Sequence, residues 1–552
     1  MSQRKTYDVL AAAFAQEGIE NCFTLMGDAN MNWATRLSET GVRMIYVRHE
    51  HCAVAAAMAE ARKRDDVGVA TVTCGPGLTQ VLTALPAAVR ANIPMVIFAG
   101  ESPLKLSWYN QMLDQGPLIT GTGAAYHRLH HVETMPRRIR DAFLQARMER
   151  RPVVLGVPFD LQDLPWPGGD TLPEPSRNML PQVGAMPPNP DDIAAAAERV
   201  AGARRIVIMA GMGAVHSPGA AQACRALAER VDGLLCTTLP ARGLFHDDPF
   251  SLNVAGGFSS EIARECLGEA DLIIAVGTIL AHHNAAGGKL FPKAHVLQID
   301  TKPLTISQGR VAADSHVRAD ARLGAEALTA AVPARPVKWR SDDMARRIRE
   351  TEIDSAEFAH EEGVHDPRDV AAAFEAHVPA DWQLVNSSGH CSFYVAHMPS
   401  RPQENFLTIR EFGAIGNGIS FAMGVAAARP DSTVVLFDGD GSLMMHVQEL
   451  ETIRRHNLNI LICVMNDGAY GSEIHKLRSE GLSDAGAVFG RTDLAAIARG
   501  FGLGGETVND LADLPRLIEE FRKTGGAAVW DFPISDQVIS PVIRGAHPPR
   551  KA

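Results

Sequence analysis

The feature that most constrains this chain is an alternation repeated along its length. Short β-branched runs are separated by longer Ala/Leu/Arg-rich stretches of helical pattern. "VGVATVT" (67–73) and "PMVIFAG" (94–100) flank the helical "LTQVLTALPAAVRAN". Farther on, "RRIVIMAG", "GLLCTT", "ADLIIAVGT" and "HVLQID" are separated by helices, and "STVVLFD" and "NILICVM" bracket "HVQELETIRRHN". Strands that alternate with helices pair in parallel, and the helices cover both faces of the sheet. The expected fold class is therefore α/β, with doubly wound parallel sheets.

At 552 residues the chain is too long for one core, and roughly 100–200 residues per domain predicts about three domains. The Pro/Gly-dense segment 165–190 has no helical or strand period and reads as a linker, and a second break lies at 330–343. The expected domains are 1–164, 190–332 and 360–552. A net charge of −11, without a long Lys/Arg block, argues against nucleic acid or an anionic membrane surface as the main partner. The eight cysteines form no C-x-x-C pair and sit mostly in apolar runs, as reduced core cysteines do. The N-terminus is an amphipathic helix pattern rather than a signal peptide, and no window reaches 18 uninterrupted apolar residues. These features predict a cytoplasmic protein with no membrane span.

Two glycine-bearing turns invite a ligand. Gly211 and Gly213 form G-x-G after the first strand of the middle piece, but position 216 is His, so a tight strand-to-helix turn explains the pair without a dinucleotide. The second is stronger. Gly439-Asp440-Gly441-Ser442 follows "STVVLFD", and Asn466-Asp467-Gly468-Ala469 follows the next strand. In parallel sheets ligands bind beyond the carboxyl ends of the strands. Glycines allow close approach to backbone, the following helix offers free N–H groups to an anion, and carboxylate and carbonyl oxygens suit Mg²⁺ beside phosphates. Helix caps and turn dipeptides would explain either acid alone, but the paired spacing reads as a metal–diphosphate cradle.

A G-D-G followed after 24 residues by Asn and an amide or acid resembles the signature of the thiamine-diphosphate-dependent enzymes. The likeness runs along the whole chain to the branch of acetolactate synthase, pyruvate decarboxylase and benzaldehyde lyase. "VRHEHCAVAAAMAEARKRDDVGVATVTCGPG" resembles its pyrimidine-binding domain, and "EFGAIGNGISFAMGVAAARP" the segment before the diphosphate motif. The resemblance implies pyrimidine, central and diphosphate domains, in that order. It implies thiamine diphosphate and Mg²⁺ as cofactors, with Asp440, Asp467, Ala469 and Asn466 as metal residues. Asp467 stands where the family usually has Asn. Glu50 takes the place of the cofactor-activating glutamate, Gly413 offers a carbonyl to the exocyclic amine, and Ile415 bends the cofactor. Gly27, Thr73, Gly389, His390, Gly439, Gly441, Ser442, Tyr470 and Gly471 complete the implied cofactor-binding set. FAD in the central domain occurs in the branch, but nothing in this sequence supports it.

By the same resemblance Glu50 and the diphosphate motif act from different subunits, so at least a homodimer is implied, with a tetramer left open. On the substrate side Asp28 and Glu473 match the acids of pyruvate decarboxylase. Gln115 matches the glutamine of acetolactate synthase and benzaldehyde lyase. His51, His127, His130 and His131 are further polar candidates. The implied activity is decarboxylation of a 2-oxo acid, passing the carbanion/enamine to a carbonyl acceptor to form a hydroxyketone. Simple decarboxylation to an aldehyde is the alternative. A nicotinamide-dependent dehydrogenase would leave Glu50 and the 440–469 motif unexplained. A non-catalytic homologue would not need Glu50.

Overall fold

The computed structural model of the protein describes residues 4–169, 171–302, 313–398 and 401–548. The alternating pattern resolves into three six-stranded sheets, and every strand pairing in them is parallel. The first sheet runs Arg43–Tyr46, Asn21–Thr24, Gly68–Val72, Met95–Glu101, Pro152–Pro158, Ala125–Arg128. The second runs Ser315–Arg318, His295–Asp300, Leu272–Val276, Ile206–Ala210, Leu234–Thr237, Ser251–Val254. The third runs Phe406–Leu407, Gln383–Asn386, Val434–Gly439, Ile460–Asn466, Ala527–Pro533, Gly504–Thr507. Within the first and third sheets the strand order by chain position is the same, 2-1-3-4-6-5; the middle sheet has the order 6-5-4-1-2-3.

Inner strands such as Gly68–Val72, Met95–Glu101 and Ile460–Asn466 are buried along their whole length, which is why they read as unbroken apolar runs. Two helices show the same effect. Glu50–Arg64 and Gly418–Ala428 pack against each other between the first and third sheets. Every residue of Gly418–Ala428 is buried, so neither helix needs a polar stripe. The contact is close because it is built from small residues: a Cβ at Gly424 would lie 2.1 Å from the carbonyl oxygen of Ala56. Polar pairs flank it. His51 Nε2 lies 2.5 Å from Asn417 Oδ1, and the amide of Arg48 donates to Glu449 Oε1 at 2.9 Å.

The Pro/Gly-rich segment after the first sheet is latched to the first helix. Buried Glu17 accepts from the amide and the hydroxyl of Ser176, at 2.9 and 2.5 Å. The second break runs into a helix, Asp342–Glu350, that packs back on the middle layer through Met344 and an Arg347–Glu265 ion pair of 2.7 Å.

Candidate active site

The third sheet carries a cavity of about 490 Å³ whose lining residues all fall between Ser388 and Ile534. Two adjacent strands build its floor. Val434–Gly439 delivers Gly439 and then Asp440, the first residue of the helix Asp440–Met445. Its neighbour Ile460–Asn466 delivers Asp467, and the two strands pair with Gly439 opposite Met465. Gly468, at φ +71°, turns its amide back to donate to Asp440 Oδ2 at 2.9 Å. The Ala469 amide donates to Asp467 Oδ1 at 3.1 Å. The glycines keep the space open: a Cβ at Gly471 would lie 2.5 Å from Asp467 Oδ2, and one at Gly441 2.7 Å from the Tyr470 ring. Ser442 Oγ accepts from the Gly416 amide at 2.9 Å, which ties the Gly413–Gly416 turn to the same edge.

The electrostatics of that edge call for a cation. Burial holds the carboxyls of Asp440 and Asp467 above the ordinary carboxylate range, and the Asp440 charge adds to the effect on Asp467. One buried and one half-buried acid with partial backbone solvation are a costly arrangement that a divalent cation relieves, and their oxygens are the hard donors Mg²⁺ takes. Asp440, Asp467 and the Ala469 carbonyl therefore fit a metal. Gly389, His390, Gly439, Gly441, Ser442, Tyr470 and Gly471 line the cavity around them. His390 is buried and its Nε2 accepts from the Ser540 amide at 3.0 Å. Burial pushes its pKa down to about 3, so the neutral ring carries its proton on Nδ1, a donor at the cavity wall. Gly413 and Ile415 line the same wall.

Glu50, Gly27 and Thr73 form a separate group on the first sheet. A Cβ at Gly27 would meet Thr73 Cβ at 2.7 Å, and one at Gly77 would lie 3.3 Å from Glu50 Oε1. Asn30 accepts from the Gly27 amide at 2.7 Å and donates to Leu25 O and Thr71 Oγ1, so the turn after Asn21–Thr24 is pinned to the end of Gly68–Val72. Glu50 starts its helix half-buried, and burial raises its carboxyl above the usual range.

The other expected residues divide. Asp28 is exposed and accepts from Tyr109 Oη at 3.3 Å. Glu473 lines the cavity and pairs with Lys476 at 3.2 Å. Gln115 is 1% exposed, with its amide wholly engaged. Its Oε1 accepts from the Gly75 amide at 3.0 Å, and its Nε2 donates to Gly100 O at 3.0 Å and Tyr126 Oη at 3.3 Å. Within this chain it braces the Gly75 turn rather than facing a pocket. Asn466, expected at the metal, has its amide donating to Asp531 Oδ1 and Thr492 O, and its residue does not line the cavity. His51 bonds Asn417, His127 bonds Gln145 at 2.7 Å, and His130 bonds Glu101 at 2.8 Å; His131 is exposed. Arg410 and Cys391 line the cavity and were not singled out in the sequence. Arg410 stands beside Glu411, three residues before Gly413, and nothing in that local sequence marks it as a cavity residue.

Three family models match the chain. The N-terminal TPP binding domain of thiamine pyrophosphate enzymes matches residues 4–118, the central domain 193–329, and the C-terminal TPP binding domain 387–532. The chain belongs to the thiamine pyrophosphate-dependent enzymes. Thiamine pyrophosphate is thiamine diphosphate, and the two groups of residues described above fall in the two domains whose family description names its binding. The chain is similar to a probable acetolactate synthase large subunit of Methanocaldococcus jannaschii, 28% identical over 85% of this chain and 81% of the relative. It is 27% identical to acetolactate synthase 1, chloroplastic, of Oryza sativa subsp. japonica over 97% of this chain and 85% of that protein. The acetolactate synthase large subunit of Parasynechococcus marenigrum is 27% identical over 91% and 83%.

Proposed function

We propose that this thiamine-diphosphate enzyme decarboxylates a 2-oxo acid and ligates the remaining fragment to a second carbonyl compound, forming a hydroxyketone as an acetolactate-synthase-like carboligase. The observation that carries the reading is the pair of aspartates, buried Asp440 and half-buried Asp467, at neighbouring strand ends in a glycine-lined cavity of about 490 Å³. The acetolactate synthase relatives support ligation as the outcome. When bound, thiamine diphosphate supplies a carbon nucleophile for the 2-oxo acid and accepts the electron pair released with CO₂.

The chain's own residues then have distinct jobs. Asp440, Asp467 and Ala469 O hold Mg²⁺, and Gly441, Ser442 and His390 offer N–H donors to the diphosphate. Glu50 holds a proton on its carboxyl at neutral pH more readily than a solvated glutamate, as a group sharing a proton with a ring nitrogen must. Gln115 keeps the Gly75 turn in place beside Thr73 and Glu50.

Glu50 and Asp28 do not line the cavity of their own chain. A homodimer that sets the first sheet of one copy against the third sheet of the other completes the site. Apolar side chains left exposed around both groups support it: Met26, Met31, Trp108 and Leu113 near the first, Phe412, Met445 and Phe489 near the second. Eight free, buried cysteines suit a reducing compartment, in keeping with a cytoplasmic enzyme. The domains are taken as 1–164, 190–332 and 360–552. Among the described residues no helix is long and apolar enough to cross a membrane.

Glu473, a carboxyl side chain on the cavity wall, favours a second outcome, release of an aldehyde without ligation. Product analysis with thiamine diphosphate, Mg²⁺ and pyruvate, alone and with benzaldehyde, separates the two. Acetolactate or a mixed hydroxyketone establishes ligation, and acetaldehyde alone assigns the decarboxylase. No turnover by protein shown to bind the cofactor directs the search to larger 2-oxo acids.

A further inference from the structure

The charges on the cavity wall do not balance within the chain. Lys476 is taken by Glu473 at 3.2 Å, and the two aspartates suit a metal. Arg410 remains. Among the described residues it makes no ion pair; its Nη1 donates to Ser392 Oγ, and that hydroxyl donates to Gly389 O at 2.6 Å. The guanidinium lies 5.0 Å from the centre of the Phe258 ring, contributed by the middle layer. The acid next to it is committed elsewhere: Glu411 accepts from the Arg410 amide at 2.8 Å and pairs with Arg62 at 3.5 Å. Burial pushes the Arg410 pKa down to about 10, which leaves it charged at neutral pH. A cation held by a hydroxyl and an aromatic face, without a carboxylate, at a ligand cavity is arranged to meet a charge that arrives with the ligand. Nε and Nη2 stay free of protein bonds in the described structure, and a guanidinium edge of two donors matches an oxyanion.

We propose that Arg410 is an anion-binding residue of this cavity, receiving an oxyanion of the bound ligand, and that the class it favours is a 2-oxo acid carrying a second acidic group. The inference rests on the thiamine-diphosphate reading of the cavity. The same chemistry could come from the cofactor's diphosphate, and the test separates the two sources. Arg410→Gln removes the charge; Arg410→Lys keeps it but loses the fork.

Three readouts are taken on folded, full-length protein of wild-type melting temperature. Thiamine diphosphate with Mg²⁺ is titrated by tryptophan fluorescence, KM is measured for pyruvate and for 2-oxoglutarate and phosphonopyruvate, and apo-protein is melted with inorganic pyrophosphate or 2-oxoglutarate. The expected result for Arg410→Gln is a KM raised about tenfold or more for the doubly acidic substrates, a pyruvate KM within about twofold, and an unchanged cofactor affinity, with Arg410→Lys between. A tenfold loss of cofactor and pyrophosphate binding with KM values unchanged also supports an oxyanion at Arg410 and assigns it to the diphosphate. All readouts within about twofold of wild type overturn the proposal. Wild-type protein that fails to bind thiamine diphosphate overturns the functional reading instead, and the apo-protein melts then test Arg410 alone. If Arg410→Gln does not fold, Arg410→Lys with unchanged KM and cofactor affinity overturns the proposal.

Discussion

The first and third sheets have one topology and opposite uses of it. In the order 2-1-3-4-6-5, the chain reverses its direction of travel between strands 1 and 3, and a crevice opens outside their carboxyl ends. In the third sheet those strands are Gln383–Asn386 and Val434–Gly439, and the segments after them, Ser388–Cys391 and Gly439–Ser442, line the cavity. In the first sheet they are Asn21–Thr24 and Gly68–Val72, and the turns after them close on each other, Gly27 against Thr73. The middle sheet reverses between Ile206–Ala210 and Leu272–Val276, and its crevice is closed too. There the Gly213 amide donates to Gly277 O at 2.8 Å, and a Cβ at Gly211 would meet that oxygen at 2.5 Å. Topology supplies three candidate crevices. Whether glycines hold one open or pack it shut decides which can take a large ligand.

Substitutions at the open and closed crevices break or sharpen this contrast. Asp440→Ala removes an oxygen donor at the open one. Losing it exceeds the roughly 10–100-fold cost of an outer-shell partner, so turnover disappears and calorimetric titration finds no Mg²⁺-dependent cofactor binding. Glu50→Gln acts at the closed crevice of the first sheet. Turnover falls by about 10²–10⁴-fold, while the same titration gives cofactor affinity near wild type. Equal losses of affinity in both variants would show that Glu50 anchors the cofactor as strongly as the metal end does.

One glycine-to-alanine change at each of two crevices tests the same point on stability. Gly277 sits at φ +59°, and a Cβ there would lie 2.3 Å from the Ala214 amide nitrogen. Gly277→Ala should lower unfolding stability by about 3 kcal/mol, read as a shifted urea midpoint, with unchanged activity per folded molecule. Gly471→Ala meets the Asp467 carboxylate at 2.5 Å and, less closely, His390 Cβ at 3.2 Å, both of them side-chain atoms. It should leave the midpoint within about 1 kcal/mol and weaken Mg²⁺ binding.

The sheets and the glycine-bearing turns at the cavity edge were legible because local rules dominate there. Buried parallel strands must be apolar throughout, and the Gly439–Ser442 and Asn466–Ala469 turns carry acids and glycines at the spacing of one helix and one strand. Asn466 and Gln115 were harder, because residue type does not tell which way an amide points. Asn466 turned to Asp531, and Gln115 turned inward to Gly75 and Gly100. Arg410 was missed for a different reason. A lone arginine reads as solvated surface, and only the three-dimensional fold shows that Glu411 is committed to Arg62. The Gly211–Gly213 pair did read as a tight turn, but what closes it did not, since its filler, Gly277, lies 64 residues beyond Gly213.

Asp467, where the family's usual residue is Asn, carries the smallest expected effect and a distinct pH signature. In the metal-free fold the carboxyls of Asp440 and Asp467 are both raised, by burial first. A carboxyl whose folded value lies above its unfolded one favours the folded state fully below the unfolded carboxylate range. That stability is lost as pH rises through the raised value. Mg²⁺ competes with those protons and restores the loss, so the melting-temperature gain on adding Mg²⁺ should grow from pH 5.5 to pH 8.5. Asp467→Asn keeps an oxygen donor and drops one titrating group. Mg²⁺ affinity at pH 8 should fall only a few-fold, about 1 kcal/mol, and the growth of the gain with pH should shrink. An Asp467→Asn protein unable to bind cofactor would show that the open crevice depends on this charge rather than on its oxygen. An unchanged pH slope would show that Asp440 alone sets the proton competition.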